Sequence, residues 1–180
     1  TYSGQVLSFQ KMLGQLQDAG NSTTLAHYLD LLSGAGMVTG LQKYAGERVR
    51  RRGSSPKLVV LNTALLTAQS AVTPAEAAAD REFWGRLVES AVGAHLANAA
   101  VAGSFDLYYW REGDREVDYV LKSGQRLVAI EVKSGRRRAG MSGMQTFAAR
   151  FHPTSLLLAG EGGVAIKEFL STPAEHWLRA

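Results

Sequence analysis

Two helical hydrophobic patterns open the chain. Apolar residues recur at helical spacing from Val6 to Leu16 and again from Leu25 to Leu32. Asn21 and Ser22 favour the start of the second helix because their side chains cap free backbone N–H groups. The glycine-containing stretch from Ser33 to Gly36 ends it. Two short helices joined in this way have the outline of a helix-turn-helix.

The pattern then changes to that of a basic β-hairpin. A strand is expected from Met37 to Tyr44, an arginine-rich tip from Gly46 to Ser55 and a returning strand from Lys57 to Leu61, before a short helix. Helices followed by a basic hairpin predict a winged-helix-like segment. We assign this segment to residues 1–72, because the stretch from Gln69 to Ala79 is small, polar and proline-containing.

Residues 73–180 predict a second domain of the α/β class, with element order αβββαββα. Its first helix begins at Asp80, and turn-like residues separate three consecutive strands, which implies a meander. The remaining elements are expected at Phe105–Trp110, Glu116–Lys122 and Leu127–Lys133 (strands), Met141–Phe151 (helix), Ser155–Ala159 and Val164–Leu170 (strands), and from Pro173 onward (helix).

Composition narrows the classes of function. Of 180 residues, 46% are apolar and 20% charged, as in globular domains. The absence of cysteine excludes disulfides, thiolate zinc sites and cysteine nucleophiles, and it favours a reducing compartment such as the cytoplasm. No apolar run reaches the roughly 18 residues of a membrane helix, so we expect no membrane association. The chain opens at Thr1 without a signal peptide, which indicates a piece of a longer protein.

Positive charge is concentrated in two short segments, although the net charge is only +4. The candidate phosphate contacts are Arg48, Arg50, Arg51 and Arg52 in the first segment and Arg136, Arg137 and Arg138 in the second. Each segment taken alone is also typical of a solvated loop. Together they indicate a nucleic-acid partner, and we expect DNA.

Charged residues interrupt two of the predicted strands. Alternation along the strand places Glu131 and Lys133 on one face and Ile130 on the other. Antiparallel pairing with the preceding strand sets Asp118 opposite Ala129, and a two-residue slide sets it opposite Glu131. Both registers leave the Asp118 side chain on the same face of the sheet, so we expect Asp118 to share that face with Glu131 and Lys133.

Two adjacent carboxylates repel unless a proton or cation lies between them, and hard oxygen ligands suit Mg²⁺ or Mn²⁺. Asp118 and Glu131 are therefore candidate metal ligands. Lys133 could orient an attacking water or meet the charge on a phosphoryl oxygen. Neutralisation of a carboxylate by Lys133 at a strand end is the alternative that the residues leave open.

The order of elements and these motifs resemble the PD-(D/E)XK nuclease superfamily. More narrowly, "PKLVVLNTALL", "LVESAVGAHL", "EVDYVL" and "LVAIEVKSG" resemble a domain found C-terminal to the ATPase module in a family of prokaryotic AAA-type ATPases. The resemblance implies a restriction-endonuclease-like αβββαβ core with a mixed central sheet. It also implies a metal at Asp118 and Glu131, a water aided by Lys133, and an accessory acid at Glu89. Val117 stands where the superfamily motif has proline.

Two functions from different classes follow. The first is a Mg²⁺- or Mn²⁺-dependent phosphodiester hydrolase that binds nucleic acid as the C-terminal part of a larger ATPase. The second is an inactive module that docks DNA or protein on behalf of that ATPase. The chain lacks a phosphate-binding loop for ATP, so an ATPase module is expected as a partner, and a homo-oligomer is left open.

Overall fold

The computed structural model describes residues 3–6, 12, 14, 20–46, 55–135 and 142–179. The strands are β1 (Val38–Lys43), β2 (Lys57–Val60), β3 (Asp106–Glu112), β4 (Arg115–Ser123), β5 (Arg126–Lys133) and β6 (Ser155–Gly160). The helices are α1 (Ser22–Gly34), α2 (Ala64–Ala68), α3 (Pro74–Ala79), α4 (Arg81–Ala100), α5 (Ser142–Phe151) and α6 (Ile166–Ser171), followed by a 3₁₀ helix (Ala174–Leu178).

The six described strands form one mixed sheet in the order β2-β1-β3-β4-β5-β6. The strands β3, β4 and β5 form the expected antiparallel meander, and β6 pairs parallel to β5. The hairpin of β1 and β2 joins the same sheet, because β1 pairs parallel to β3. The α/β class with a mixed sheet is thus confirmed, and the sheet continues from the hairpin into the meander.

Two expectations about local structure need correction. The stretch from Val164 to Leu170 is not a strand, since residues Ile166–Ser171 form α6. Ile166, Phe169 and Leu170 have the helical spacing that explains this, and Phe169 is fully buried. The helix α3 was not expected; a capping box between Thr73 and Glu76 starts it.

Several of the sequence predictions fall outside the described residues. The helix expected from Val6 to Leu16 lies mostly there, although Val6 itself forms an isolated antiparallel bridge with Lys57. The arginine-rich hairpin tip and the second arginine segment also lie there. Nucleic-acid contacts at these arginines therefore stay predictions from the sequence.

Helices cover both faces of the sheet. On one face, α4 packs Val92 and Leu96 against Tyr119 and Ile130. On the other face, α5 packs Phe147 among residues of β3, β4 and β5. Each large side chain buried in this way contributes about 1.5–3 kcal/mol. None of the helices in the described ranges is both long enough and apolar enough to cross a membrane.

Replacing Gly93 by Ala should destabilise the packing of α4 on the sheet. A Cβ at Gly93 would clash with Tyr119 Oη and lie 3.0 Å from Val59 Cγ1. We expect Gly93→Ala to lower the free energy of unfolding, measured in urea, by about 1–3 kcal/mol.

Gly85→Ala, in the same helix, is the matched control for this substitution. A Cβ at Gly85 lies 3.1 Å from the rotatable Oγ of Ser134, so helix propensity should dominate and stabilise by up to about 1 kcal/mol. Equal stabilisation by both substitutions would contradict the close approach at Gly93.

Candidate functional site

The strands β4 and β5 separate at Asp118. Their pairing runs from Ser123↔Arg126 to Tyr119↔Ile130, so continuation would have set Asp118 opposite Glu131. On the other side of β4, the register with β3 shifts by one residue between Tyr108 and Trp110. This shift is a β-bulge at Asp118, and bulges turn a side chain away from its regular position.

The bulge places the Asp118 carboxylate between β4 and β5, where the two strands are no longer paired. Its Oδ2 accepts a hydrogen bond of 2.9 Å from the backbone N–H of Val132. Its Oδ1 accepts one of 3.3 Å from Nζ of Lys57, which also donates to the Asp118 carbonyl at 3.3 Å. Three hydrogen bonds thus fix Asp118 between a neighbouring strand and a lysine.

Lys57 is fully buried at the start of β2. Its Nζ lies 2.7 Å from Oε1 of Glu89 and 3.2 Å from Oε1 of Glu116, and 5.0 Å from the centre of the Tyr119 ring. Burial alone would lower the pKa of Lys57, but the charges of Asp118, Glu89 and Glu116 outweigh burial and raise it well above its ordinary value. The side chain is therefore an ammonium ion throughout the physiological range.

Glu89 reaches this lysine from the middle of α4. The Tyr119 hydroxyl donates a hydrogen bond of 2.8 Å to the Glu89 carbonyl, which fixes the helix over β4. Gly4 packs on the carboxylate, where a Cβ would lie 3.1 Å from Oε1, and it has the positive φ of 77° that glycine adopts without strain. Residues near the start of the chain therefore close one side of the site.

Glu131 and Lys133 form the second part of the site. Lys133 Nζ lies 2.6 Å from Glu131 Oε1, and both side chains are about four-fifths buried. Alternation along β5 places this pair on the α5 side of the sheet, since Ile130 packs on the α4 side. The sequence predicts one face for Asp118, Glu131 and Lys133, but the bulge turns the Asp118 carboxylate between the strands and toward Lys57 on the α4 side. The prediction of one shared face is therefore wrong.

Negative charge exceeds positive charge among these residues. Two lysines and the half-exposed Arg111, 3.9 Å from one Glu116 oxygen, face four carboxylates. The carboxylates are those of Glu89, Glu116, Asp118 and Glu131. Burial, followed by the charge of Asp118, raises the pKa of Glu89 to about 7 and also raises the pKa of Glu131. The site therefore accepts a proton or a further cation more readily than isolated carboxylates do.

This surplus of carboxylates fits a divalent metal ion. Asp118 and Glu131 supply hard oxygen atoms, and a cation between them would relieve the repulsion that, after burial, raises the pKa of Glu131. Within the described ranges, no group of three or more His, Cys, Asp or Glu side chains is arranged to hold a metal. Two protein carboxylates suffice for Mg²⁺, which commonly keeps several waters and binds substrate phosphates.

Sequence reasoning missed Lys57 as a member of the site and gave Glu116 no role. Lys57 opens the strand KLVV, in which it shares a face with the fully buried Val59. A lysine on the buried face of a strand requires a negatively charged partner. That requirement was the available signal, but the sequence could not identify the partner, because Glu116 lies 59 residues further along the chain.

The protein thus has an α/β fold with a mixed sheet, and carboxylates and lysines are clustered on that sheet. The chain belongs to a family described as a domain of unknown function (DUF4143), whose model matches residues 84–174. Domains of this family are typically found in proteins associated with AAA-type ATPases. A second domain of unknown function (DUF8612) matches residues 1–76. No curated protein and no solved structure matches the chain.

The two matched regions contribute to one site. Glu89, Asp118, Glu131 and Lys133 lie within the DUF4143 match, whereas Lys57 lies within the DUF8612 match. The distance of 2.7 Å between Lys57 Nζ and Glu89 Oε1 joins the two regions directly. Neither region by itself contains all the charged groups of the site.

Glu89→Gln should alter how stability depends on pH. The folded-state pKa of Glu89, about 7, lies above its ordinary value of 4.5, so the folded protein retains a proton that the unfolded chain releases between these values. Stability should therefore fall as the pH rises through this window. We expect Glu89→Gln to be more stable than the wild type at about pH 8 and similar to it at about pH 5.

Urea unfolding across this pH range, in buffer with a chelator, measures the difference. Glu168→Gln, at an exposed position of α6, is the matched control and should follow the wild type. A constant difference between Glu89→Gln and the wild type from acidic to basic pH would contradict the raised pKa.

Proposed function

We propose that this protein is the nuclease-like, nucleic-acid-binding part of a larger ATPase and hydrolyses phosphodiester bonds with a divalent metal ion. The observation that carries the proposal is the position of the Asp118 carboxylate, which lies where β4 and β5 separate and is held by Val132 and Lys57. The Glu131–Lys133 pair follows on β5, and Glu89 approaches from α4. This grouping supports the nuclease-like αβββαβ core that the sequence motifs resemble.

Asp118 and Glu131 would hold Mg²⁺ or Mn²⁺. When bound, such an ion supplies Lewis acidity to a phosphoryl oxygen and lowers the pKa of a bound water. The backbone N–H of Val132 keeps the Asp118 carboxylate oriented, at 2.9 Å, without using a further charged group. The protein itself therefore fixes one ligand before any substrate arrives.

Lys133 and Glu89 supply the remaining chemistry. The Lys133 ammonium, 2.6 Å from Glu131, is a positive group beside the proposed ligand and would orient the attacking water or meet charge on the phosphoryl group. Glu89, with a pKa of about 7, exchanges a proton near neutral pH, which suits an accessory acid. Asp118 and Glu131 would thus bind the metal, Lys133 would orient the water, and Glu89 would transfer a proton.

The proposed partners follow from the family and the charge. The DUF4143 match supports association with an ATPase module. The two arginine segments, which lie outside the described residues, would supply contacts to the phosphates of DNA beside the site. The winged-helix-like segment would present the first of them, in the cytoplasm.

Asp118→Asn and Lys133→Met should separate the proposed roles. We expect Asp118→Asn to lose both metal binding and cleavage, because the ion needs a carboxylate there. Lys133→Met should still bind the metal but cleave DNA on the order of 10²-fold more slowly, as when a single stabilising donor is removed. Calorimetric titration with Mn²⁺ and a cleavage assay on several DNA forms measure the two effects.

Asp114→Asn, in the exposed turn before β4, is the matched control and should bind and cleave as the wild type does. The enzymatic proposal fails if the wild type cleaves no faster than Asp118→Asn, both alone and as the full-length chain with ATP.

A docking module is the second candidate, and one observation favours it. The ammonium of Lys57 already lies within 3.3 Å of Glu89, Glu116 and Asp118, so each of these carboxylates has a positive partner without an added ion. In that case the domain would bind DNA or protein for its ATPase without cleaving it. Binding that persists with no cleavage under any condition favours this function.

Replacing Arg48, Arg50, Arg51 and Arg52 by Ala tests nucleic-acid binding separately. These arginines are expected to contact phosphates rather than bases, so the change should weaken binding about equally for all sequences and flatten its dependence on salt. Fluorescence anisotropy with labelled DNA at several salt concentrations measures both. Arg81→Ala, at an exposed position of α4, is the control. If the fourfold variant binds DNA with an unchanged dependence on salt, the segment from Arg48 to Arg52 is a solvated loop without a role in binding.

A further inference from the structure

Four oxygen atoms surround the buried ammonium of Lys57. They are Glu89 Oε1 at 2.7 Å, Glu116 Oε1 at 3.2 Å, and Oδ1 and the carbonyl oxygen of Asp118 at 3.3 Å each. Three carboxylates and a carbonyl are also the kind of hard donors that bind divalent cations. The donor atoms around the ammonium are therefore of the type that binds a metal ion, although in the described ranges, with Lys57 in place, no three such side chains are arranged to hold one.

Glu89 makes the shortest contact with Lys57, 2.7 Å, and is the one of the three carboxylates whose contact lacks regular hydrogen-bonding geometry. Its Oε1 is buried and, although it is in ionic contact with Lys57, has no partner in hydrogen-bonding geometry. An ammonium has only three N–H groups, and the hydrogen bonds to Glu116 and Asp118 use them. A spherical cation would have no such directional limit.

Phosphodiester hydrolases often use two metal ions about 3.5–4 Å apart, which stabilise the attacking and the leaving oxygens. Such a pair needs bridging carboxylates. Asp118 lies between the two proposed positions, since Oδ1 faces Lys57 while Oδ2 faces β5 and accepts from the N–H of Val132, the residue after Glu131. The position beside Asp118 Oδ1, where a second metal ion would bind, is already occupied by the ammonium of Lys57.

We propose that Lys57 is a built-in cation that takes the place of a second metal ion, so that the site binds one divalent ion and not two. This inference rests on the proposed function, because it assigns the other position to an ion held by Asp118 and Glu131. Lys57 acts on the reaction through Asp118 and is a positioning residue. It enters from the region matched by DUF8612, so that region supplies a charge that the DUF4143 core lacks.

Lys57→Met tests this directly, because methionine has a similar length and no charge. The substitution leaves Glu89, Glu116 and Asp118 around a vacated position, and we expect Mn²⁺ to fill it. Calorimetry should show one bound Mn²⁺ in the wild type and two in Lys57→Met, the added ion binding at least about tenfold more tightly than any second ion in the wild type. Electron paramagnetic resonance should show spin coupling between two Mn²⁺ ions in the variant alone.

Two further variants keep the test decisive. Lys167→Met makes the same chemical change at an exposed position of α6 and should bind Mn²⁺ as the wild type does. Lys57→Met combined with Glu116→Gln removes one negative charge along with the positive one, so it should fold where the single variant does not. It retains Glu89 and Asp118 and should still bind the second ion, more weakly than the single variant.

The outcomes distinguish this inference from the proposed function. One ion in the wild type and an unchanged number and affinity in the Lys57 variants would overturn the inference alone. No ion in the wild type but one in the variants would overturn the metal-dependent function and, with it, the inference, which assigns one ion to the wild type. No binding in any of these proteins would overturn both.

Discussion

The burial of the Lys57 ammonium constrains the rest of the structure. Removing an ammonium ion from water costs several kcal/mol even after relaxation, so the structure is stable only if negative charges surround it. Those charges come from α4 through Glu89 and from β4 through Glu116 and Asp118, at 2.7–3.3 Å. The Lys57 ammonium therefore links the hairpin of β1 and β2, the long helix and the meander, in addition to the pairing of β1 with β3 and the packing of α4 on the sheet.

The second constraint is the bulge at Asp118. In a regular strand the side chain would point to the face opposite Tyr119, and Lys57, which lies over the Tyr119 ring, would lose a partner. The added residue turns the carboxylate into the space between β4 and β5, where Val132 holds it and Glu131 is near. A local irregularity of the backbone thus joins the carboxylates around Lys57 to the Glu131–Lys133 pair.

The spacing of hydrophobic residues was enough to predict most of the elements and the meander, because α4 and the central strands carry long, regular hydrophobic patterns. It failed where two patterns overlap, as at Ile166, Phe169 and Leu170, which fit a short helix as well as a strand. Candidate residues such as Asp118 and Glu131 could be chosen from spacing in neighbouring strands. Lys57 could not, because its partners depend on the parallel pairing of β1 with β3, which no local pattern encodes.

The surplus of negative charge distinguishes a functional explanation from a purely structural one. One carboxylate would be enough to pair Lys57, yet three surround it, and burial together with the charge of Asp118 raises the pKa of Glu131. Concentrating carboxylates in this way opposes folding, because each buried charge must be desolvated beside others of the same sign. Such unfavourable charge is typical of sites that bind a cation or exchange a proton, where binding or chemistry offsets the loss of stability. A scaffold that only joined a hairpin to a sheet would have no physical requirement for it.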